Sequence, residues 1–374
     1  MNQKNRINPL LLKLLVSVLT ITGCLHNRNA NKTTKKKTHT ISPIQTKSPS
    51  KQNIQSKEEH VITIWVHGTR FGPIQDFIFK NFFYRKQGLH PVSSFKDVHN
   101  NRKIAVYLCT QKTKRFKLEN FYIFGWSGDL SPKKRQEAAL QLYKAILNQI
   151  TQYKKKHNRE PKIRLITHSH GGNVALGLSR INDRQPRKIS IYELILLACP
   201  VQQQTESFIK NKMFETIYSL YSGVDILQVI DPQGIHGKPK LVPKTSAKQT
   251  PFFSKRRFKP QKNVIQVKLK INGRGILHLE FLLKRFISLM PHLLDELDSW
   301  RKAEIGDLNA YKKQKLIKIN TKENGIQFER KIMKQKKIKT SIKQATLLLD
   351  EQLRQNQSLP KLAARQDDQN EASS

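Results

Sequence analysis

The chain has 374 residues, 37% of them hydrophobic, and a formal net charge of +42. This length suits one sizeable domain with polar extensions. A large positive charge is typical of nucleic-acid binders. Here, however, the lysines are spread over the whole length, and there is no zinc-finger spacing, no basic helix leading into heptads and no aromatic ribonucleoprotein motif, so we expect no specific nucleic-acid partner.

The N-terminal segment has the pattern of a bacterial export signal. Lys4 and Arg6 precede the apolar stretch "LLKLLVSVLTITG", which is too short for an easy membrane span and ends directly before Cys24. The residues "ITGC" resemble the lipobox of bacterial lipoproteins, in which the cysteine is lipidated and becomes the new N-terminus. Residues 1–23 are therefore predicted to be a lipoprotein signal peptide, with a plain signal peptide or an uncleaved anchor as alternatives.

Lipidation of Cys24 predicts attachment to a membrane of the bacterial cell envelope, because each buried methylene of an acyl chain adds about 0.8 kcal/mol. Leu25 follows the cysteine, so an aspartate-type inner-membrane retention signal is absent and the outer membrane is favoured over the inner one. Residues 24–60 are polar and show no apolar repeat at either period. They are predicted to be a disordered linker between the membrane and a folded domain.

From residue 61 onward, apolar strand-like runs alternate with segments of helical spacing. The predicted strands are, in chain order, VITIWV, KIAVYLC, FYIFGW, IRLIT, YELILLAC, TIYSLY and NVIQVKLKI. The predicted helices begin at Ser131-Pro132, begin at Gly172, and run from Leu279 to about Trp300. This alternation predicts an α/β domain over residues 61–300 with a mostly parallel sheet covered on both faces. Residues 301–374 are lysine-rich and are expected to form a basic, partly helical or disordered extension.

The stretch "KIRLITHSHGGNVAL" places Ser169 between an apolar strand and a helix. A serine on such a tight turn exposes its hydroxyl above the sheet and lies close to a helix N-terminus, which suits a nucleophile. Gly171 supplies the small residue that the turn requires two positions after the serine. Thr167 stands where the G-x-S-x-G pattern has its first glycine, and this departure weakens the motif without excluding it.

A candidate acid and a candidate base follow Ser169 in the order serine, acid, histidine that hydrolases with a G-x-S-x-G turn have. Asp225 comes shortly after the strand TIYSLY, and His278 lies in a glycine-containing loop after NVIQVKLKI. In the predicted triad Ser169 attacks, His278 takes and returns the proton, and Asp225 orients the imidazole. Asp231 and His236 are the rival acid and the weaker rival base.

Backbone donors for an oxyanion are predicted at two places. His170, directly after the nucleophile, supplies one N–H, and Thr69 in the "HGT" that follows the first strand supplies the other. Gly68 lets this loop come close to a substrate. The side chains of His168 and His170 are expected to line the wall of the site.

Several segments together resemble the α/β-hydrolase superfamily, particularly its lipase-like bacterial members. They are "VHGT", "FGWSG", "THSHGGNVAL", Asp225 after its strand, and "GRGILH", and they lie between about Val61 and Trp300. The resemblance implies a three-layer αβα fold and hydrolysis of an ester or amide through an acyl-enzyme, without metal or cofactor.

The substrate is less well specified than the site. Residues 77–91 and 238–263 are insertions that contain both aromatic and basic side chains, and they suit either an acyl chain with an anionic headgroup or ordinary surface loops. With the predicted membrane anchor, this favours a lipid-like ester, so a lipase or esterase, while peptidase and acyltransferase activities stay open. The alternative is a catalytically weak or inactive hydrolase-like lipoprotein that binds a partner in the envelope, and the substitution at Thr167 is its main support.

Overall fold

A computed structural model of the chain describes residues 60–69, 86–111, 115–229, 254–303, 312–322 and 325–333. The predicted signal peptide, Cys24 and nearly all of the linker lie outside these residues, as do the rival acid Asp231 and the rival base His236. Within the described ranges, no helix combines the length and the apolar composition that crossing a membrane requires.

One mixed sheet runs through the described part of the chain. Its strands are β1 (Val61–Val66), β2 (Gly88–Pro91), β3 (Phe121–Gly125), β4 (Lys162–His168), β5 (Glu193–Leu197), β6 (Ile217–Tyr221), β7 (Val264–Ile271), β8 (Arg274–Gly275), β9 (Gln314–Lys322) and β10 (Gly325–Met333). Their spatial order is β10-β9-β7-β6-β5-β4-β1-β3-β2, with β8 beside β7. The pairs from β3 through β9 are parallel, while β2, β8 and β10 are antiparallel to their neighbours.

Helices cover both faces of this sheet. They are α1 (Asn100–Gln111), α2 (Pro132–His157), α3 (Gly171–Arg184), α4 (Lys284–Ile287) and α5 (Met290–Ala303). Ile64 of β1 packs in the same core as residues of α2 and α3, whereas the adjacent Trp65 packs with residues of α1 and α5. Since successive side chains of a strand point to opposite faces, the sheet is the middle of three layers. The fold is the predicted three-layer αβα arrangement of the α/β-hydrolase type, with a mostly parallel sheet.

The predicted strand KIAVYLC is wrong, because these residues lie in helix α1. Ile104, Ala105, Leu108 and Cys109 are buried, while Lys103 and Thr110 are exposed. These buried residues form pairs four positions apart, which is the spacing of residues on one face of a helix. The short window and its β-branched residues suggested a strand, since periodicity cannot separate the two structures over seven residues.

The long helix predicted from Leu279 to Trp300 is divided into three pieces. A 3-10 helix (His278–Leu282) and the single turn of α4 precede α5. Leu283, between the first two, is extended at φ −78° and ψ 150°. Pro291 is the second residue of α5, a position where a missing N–H costs no helical hydrogen bond. The proline therefore explains why the last helix begins at residue 290.

Part of the predicted basic extension belongs to the sheet, because β9 (314–322) and β10 (325–333) pair as the antiparallel hairpin β9–β10 at one of its edges. Ile317 and Ile319 of β9 join the hydrophobic core. β10 is largely exposed, with Ile332 at 53%. An edge strand of this kind buries little apolar surface, which is why its sequence lacks the alternation expected of a strand.

The described parts of the two insertions belong to the domain itself. Residues 88–91 form β2 against β3, and Phe258 is buried in the core on the α2 and α3 side of the sheet. Val201 and Lys255 form an isolated antiparallel bridge. The remaining residues of the insertions, 77–85 and 238–253, lie outside the described part.

Candidate active site

Ser169 lies on the turn between β4 and α3, at the carboxyl end of the parallel strands. Its φ is +52°, in the left-handed region that non-glycine residues rarely occupy. Its N–H donates to the carbonyl of Leu197 at 2.9 Å, and its own carbonyl accepts from the N–H of Gly172 at 2.9 Å. Backbone strain of this kind persists only where surrounding contacts hold it, and it is concentrated at functional sites.

Glycines bring the oxyanion loop (residues 67–69) against this turn. A Cβ at Gly68 would lie 2.8 Å from Cβ of Ser169, and a Cβ at Gly171 would lie 2.5 Å from the carbonyl oxygen of His67. Thr167 is fully buried, and its hydroxyl donates to the carbonyl of Ile195 at 3.2 Å. The close approach thus depends on Gly68 and Gly171, and the fold accommodates a threonine at 167.

Asp225 and His278 form a buried pair. His278 Nδ1 lies 2.9 Å from Asp225 Oδ2, and the histidine and the aspartate are 5% and 1% exposed. The other carboxylate oxygen, Oδ1, accepts from the N–H of Gln228 at 3.0 Å. Among the described residues, no hydrogen bond joins Ser169 to His278; in a ligand-free enzyme such a contact is often long and tightens only when substrate binds.

The acid turn (residues 222–225) and the base loop (residues 272–278) are held together by contacts distant in sequence. Ser222 Oγ accepts from the N–H of Ile276 at 2.9 Å. A Cβ at Gly275 would lie 2.5 Å from a methyl group of Val224, so only glycine allows this approach. Gln228 donates from Nε2 to the carbonyl of Cys199 at 2.9 Å, which ties the acid turn to the end of β5.

The oxyanion loop is fixed by a tryptophan from the "FGWSG" segment. The Trp126 indole N–H donates to the carbonyl of His67 at 2.9 Å, and its ring stacks on the His67 imidazole with centroids 5.6 Å apart. Thr69 and His170 are both buried. Within the described residues, neither backbone N–H donates a hydrogen bond.

His168 connects the nucleophile turn to the base loop. Its Nε2 lies 3.0 Å from the carbonyl oxygen of His278, which makes Nε2 the protonated nitrogen, and the two imidazole centroids are 4.7 Å apart. Burial, and then the neighbouring His278, lowers the pKa of His168 well below its ordinary value of 6.5. His168 therefore stays neutral beside the base, and its contact places His278 next to the turn that carries Ser169.

Burial lowers the pKa of His170 as well, with Arg135 as the second cause. Above pH 6.5, the ordinary pKa of histidine, His168 and His170 are neutral in both the folded and the unfolded chain, so their burial adds no pH dependence to stability. Below pH 6.5 the unfolded chain binds protons at these histidines and the folded chain does not, so the free energy of unfolding falls as the pH falls. We expect His168→Gln or His170→Gln to reduce this slope by up to about 1.4 kcal/mol per pH unit.

Urea unfolding monitored by fluorescence between pH 7.5 and 5 measures the slope directly. A variant whose free energy of unfolding falls with pH as steeply as that of the wild type would show that the replaced histidine titrates normally in the folded state.

Three residues of this site were not identified from the sequence. Trp126 lies in the segment "FGWSG", whose pattern gives the tryptophan no role, and Gln228 and Arg256 lie in no motif. Arg256 donates from Nη2 to the main-chain carbonyl of Asp225 at 2.8 Å. A position three residues after the acid is a weak signal for Gln228, and no sequence signal identifies Arg256.

The described residues contain no group of three or more His, Cys, Asp or Glu side chains that could hold a metal ion. No family model matches the sequence, and no curated protein matches it.

Solved structures of similar architecture include an esterase from Rhizomucor miehei, with 9% identity over 67% of this chain and 78% of its own, at a TM-score of 0.35. A hydrolase from Agrobacterium vitis has 13% identity over 65% of this chain and 89% of its own, at a TM-score of 0.30. Phospholipase PlaB from Legionella pneumophila has 15% identity over 37% of this chain, at a TM-score of 0.23, and this chain covers 25% of its length.

Proposed function

We propose that the chain is a serine hydrolase that cleaves a carboxylic ester through an acyl-enzyme. The observation that carries the proposal is the left-handed backbone of Ser169 beside the backbone N–H groups of Thr69 and His170, with the buried Asp225–His278 pair connected to the same turn through His168. A strained turn or a buried Asp–His pair also occurs by itself in proteins that are not enzymes. The convergence of these features at the carboxyl edge of one parallel sheet supports a nucleophile, a base and an acid acting together.

In the first half of the reaction, His278 Nε2 removes the proton of Ser169 as its hydroxyl oxygen attacks the ester carbonyl. Asp225 holds the opposite ring nitrogen and stabilises the imidazolium. The N–H groups of Thr69 and His170 receive the oxyanion, each contributing about 3 kcal/mol to the transition state. His278 then gives its proton to the leaving alcohol, and water enters by the same route to release the acid.

The test is hydrolysis of p-nitrophenyl butyrate by the purified protein. We expect turnover by the wild type and a loss of more than about 10³-fold in kcat/KM for Ser169→Ala, because no other group replaces the nucleophile. Ser190→Ala is the matched control, since Ser190 is exposed and distant in sequence from the site residues. Equal rates in wild type and Ser169→Ala would refute the assignment. Esters of increasing chain length would then separate an esterase from a lipase.

A non-catalytic binding protein of the envelope is the second candidate. Thr167 in place of the usual glycine, and the missing hydrogen bond between Ser169 and His278 in the described residues, favour it. A correctly folded wild-type protein that hydrolyses no ester and resists active-site probes would support this candidate.

The proposed substrate is lipid-like and the proposed location is a bacterial membrane, reached through lipidated Cys24. The apolar stretch that ends in "ITGC" supports both. Mass spectrometry of the mature protein from a bacterial host is expected to give an N-terminal Cys24 carrying a diacylglycerol thioether and an amide-linked acyl chain. An intact Met1 would contradict the lipoprotein assignment.

A further inference from the structure

Four basic side chains lie at or next to the acid turn and are together called the basic cluster: Arg256, Arg257, Lys268 and Lys270. Lys270 lies close enough to Lys268, and Arg257 close enough to Tyr221 directly before the turn, for their charges to act on these groups. Lys268 and Lys270 belong to β7, where the alternate residues Val267 and Leu269 face the α1 and α5 core. The lysines therefore lie on the opposite sheet face, and both are half-buried. Arg256 and Arg257 precede Phe258, which is buried on that same face.

Two members of the basic cluster touch the acid turn. The Lys268 ammonium lies only 2.7 Å from the position of a Cβ at Gly223, so its side chain rests directly on the turn. Arg256 donates to the main-chain carbonyl of Asp225 at 2.8 Å. An anion held by these side chains would lie beside the turn that carries the candidate acid.

The positive charge of this cluster is only partly balanced within the described residues, where the Asp225 carboxylate attracts the Arg256 guanidinium. None of its four side chains forms an ion pair with a carboxylate there, although neighbouring basic residues do: Lys255 pairs with Glu206 at 3.4 Å and Lys318 with Glu329 at 3.0 Å. The adjacent carboxylate, Asp225, is engaged by His278 and by the N–H of Gln228.

The cluster also has unused hydrogen-bond donors. The Nε atoms of Arg256 and of Arg257 are buried and have no acceptor among the described residues. Burial, followed by the charges of Lys270 and Arg256, lowers the pKa of Lys268. Like charges that are partly removed from water destabilise one another, and a bound anion offsets that cost.

We propose that the basic cluster binds a phosphate group of an ester substrate. Guanidinium groups donate paired hydrogen bonds to phosphate oxygens and an ammonium adds a point charge, so two arginines and two lysines suit a phosphate better than a single carboxylate. The phosphate belongs either to a phospholipid headgroup or to a small phosphorylated ester. This inference rests on the proposed hydrolase function and specifies the substrate class for the same site.

The first test compares kcat/KM for butyryl-glycerol phosphate and for butyryl glycerol, two esters that differ only in the phosphate. We expect the full-length wild type to prefer the phosphate ester at least tenfold, and Lys268→Gln combined with Arg257→Gln to reduce the preference by about tenfold or more. Lys212→Gln, an exposed lysine, is the matched control and should keep the wild-type ratio. Equal ratios in wild type and double variant would overturn the proposal while leaving ester hydrolysis intact.

A third substrate, phosphatidylglycerol in neutral detergent micelles, separates the two sources of phosphate. If the basic cluster binds a lipid headgroup, the double variant hydrolyses the micellar lipid more slowly than the wild type. If it binds a soluble ester, the reduction in rate is confined to butyryl-glycerol phosphate. Either result supports a phosphate site.

A second test is independent of catalysis. Inorganic phosphate is expected to raise the Tm of the wild type above its value in sodium chloride of equal ionic strength, and to raise it less in the double variant. Lys270→Gln alone replaces the double variant if the latter does not fold. An identical phosphate effect in wild type and variant would exclude binding at this cluster, whether or not the protein hydrolyses esters.

Discussion

In the Asp225→Asn variant, kcat/KM for p-nitrophenyl butyrate falls by about 10³- to 10⁴-fold. The carboxylate accepts the Nδ1–H of His278 and so keeps the unprotonated Nε2 directed to the nucleophile. An asparagine amide removes the charge that stabilises the imidazolium and favours the wrong tautomer. Steady-state assays across pH 6 to 9 measure the loss.

The fold is expected to survive this substitution. An asparagine oxygen still accepts from the N–H of Gln228, and the bond from Arg256 goes to the main chain of residue 225. Asp129→Asn, at an exposed aspartate, is the matched control and should retain full activity. A loss of less than tenfold in Asp225→Asn, with circular dichroism unchanged, would assign the acid to another residue.

The largest effect on stability is expected from Glu193→Gln, at the opposite end of the sheet. Glu193 begins β5, is 3% exposed and accepts from both Arg115 and Arg164. Arg115 also binds Asp298 at 2.7 Å. Arg164, by contrast, forms its ion pair within the described residues with Glu193. Removing one partner of a buried ion pair leaves a buried charge unbalanced, so the free energy of unfolding should fall by about 3–5 kcal/mol.

A double variant separates the lost charge balance from the lost packing. Arg164→Met with Glu193→Leu removes both buried charges, and it should recover most of the stability that Glu193→Gln loses. Glu137→Gln, which breaks the exposed pair with Lys134, should leave urea unfolding unchanged. If Glu193→Gln unfolds at the wild-type urea concentration, the buried network does not stabilise the fold as described.

The central strands were predictable because each is a continuous run of apolar residues, which is typical of a strand that is buried on both faces of a sheet. β1 is buried along its whole length, and the sequence VITIWV contains no polar residue except Thr63. Residues 103–109 are also mostly apolar but fold as a helix, since their burial follows a helical repeat that a seven-residue window does not resolve. The hairpin β9–β10 was missed because lysines occupy many of its positions and one of its strands is an exposed edge.

The order of the candidate site residues could be predicted, but their supporting contacts could not. The positions of Ser169, Asp225 and His278 after β4, β6 and β7 follow from the rule that sites form at the carboxyl ends of parallel strands. The contact of Arg256 with Asp225 joins residues 31 positions apart through a side chain in no motif. Likewise, the bond from His168 to the His278 carbonyl spans 110 positions. Such contacts arise only from tertiary packing, and they fix how the acid turn and the base loop sit beside the nucleophile.

The most direct test of the central claim is labelling of the folded protein with a fluorophosphonate probe, followed by peptide mass spectrometry. Because the probe reacts only with a serine whose proton is removed by a positioned base, the wild type should carry one label, on Ser169, and Ser169→Ala should carry none. A folded wild type that stays unlabelled, or that carries the label on another serine, would contradict the assignment of Ser169 as the nucleophile.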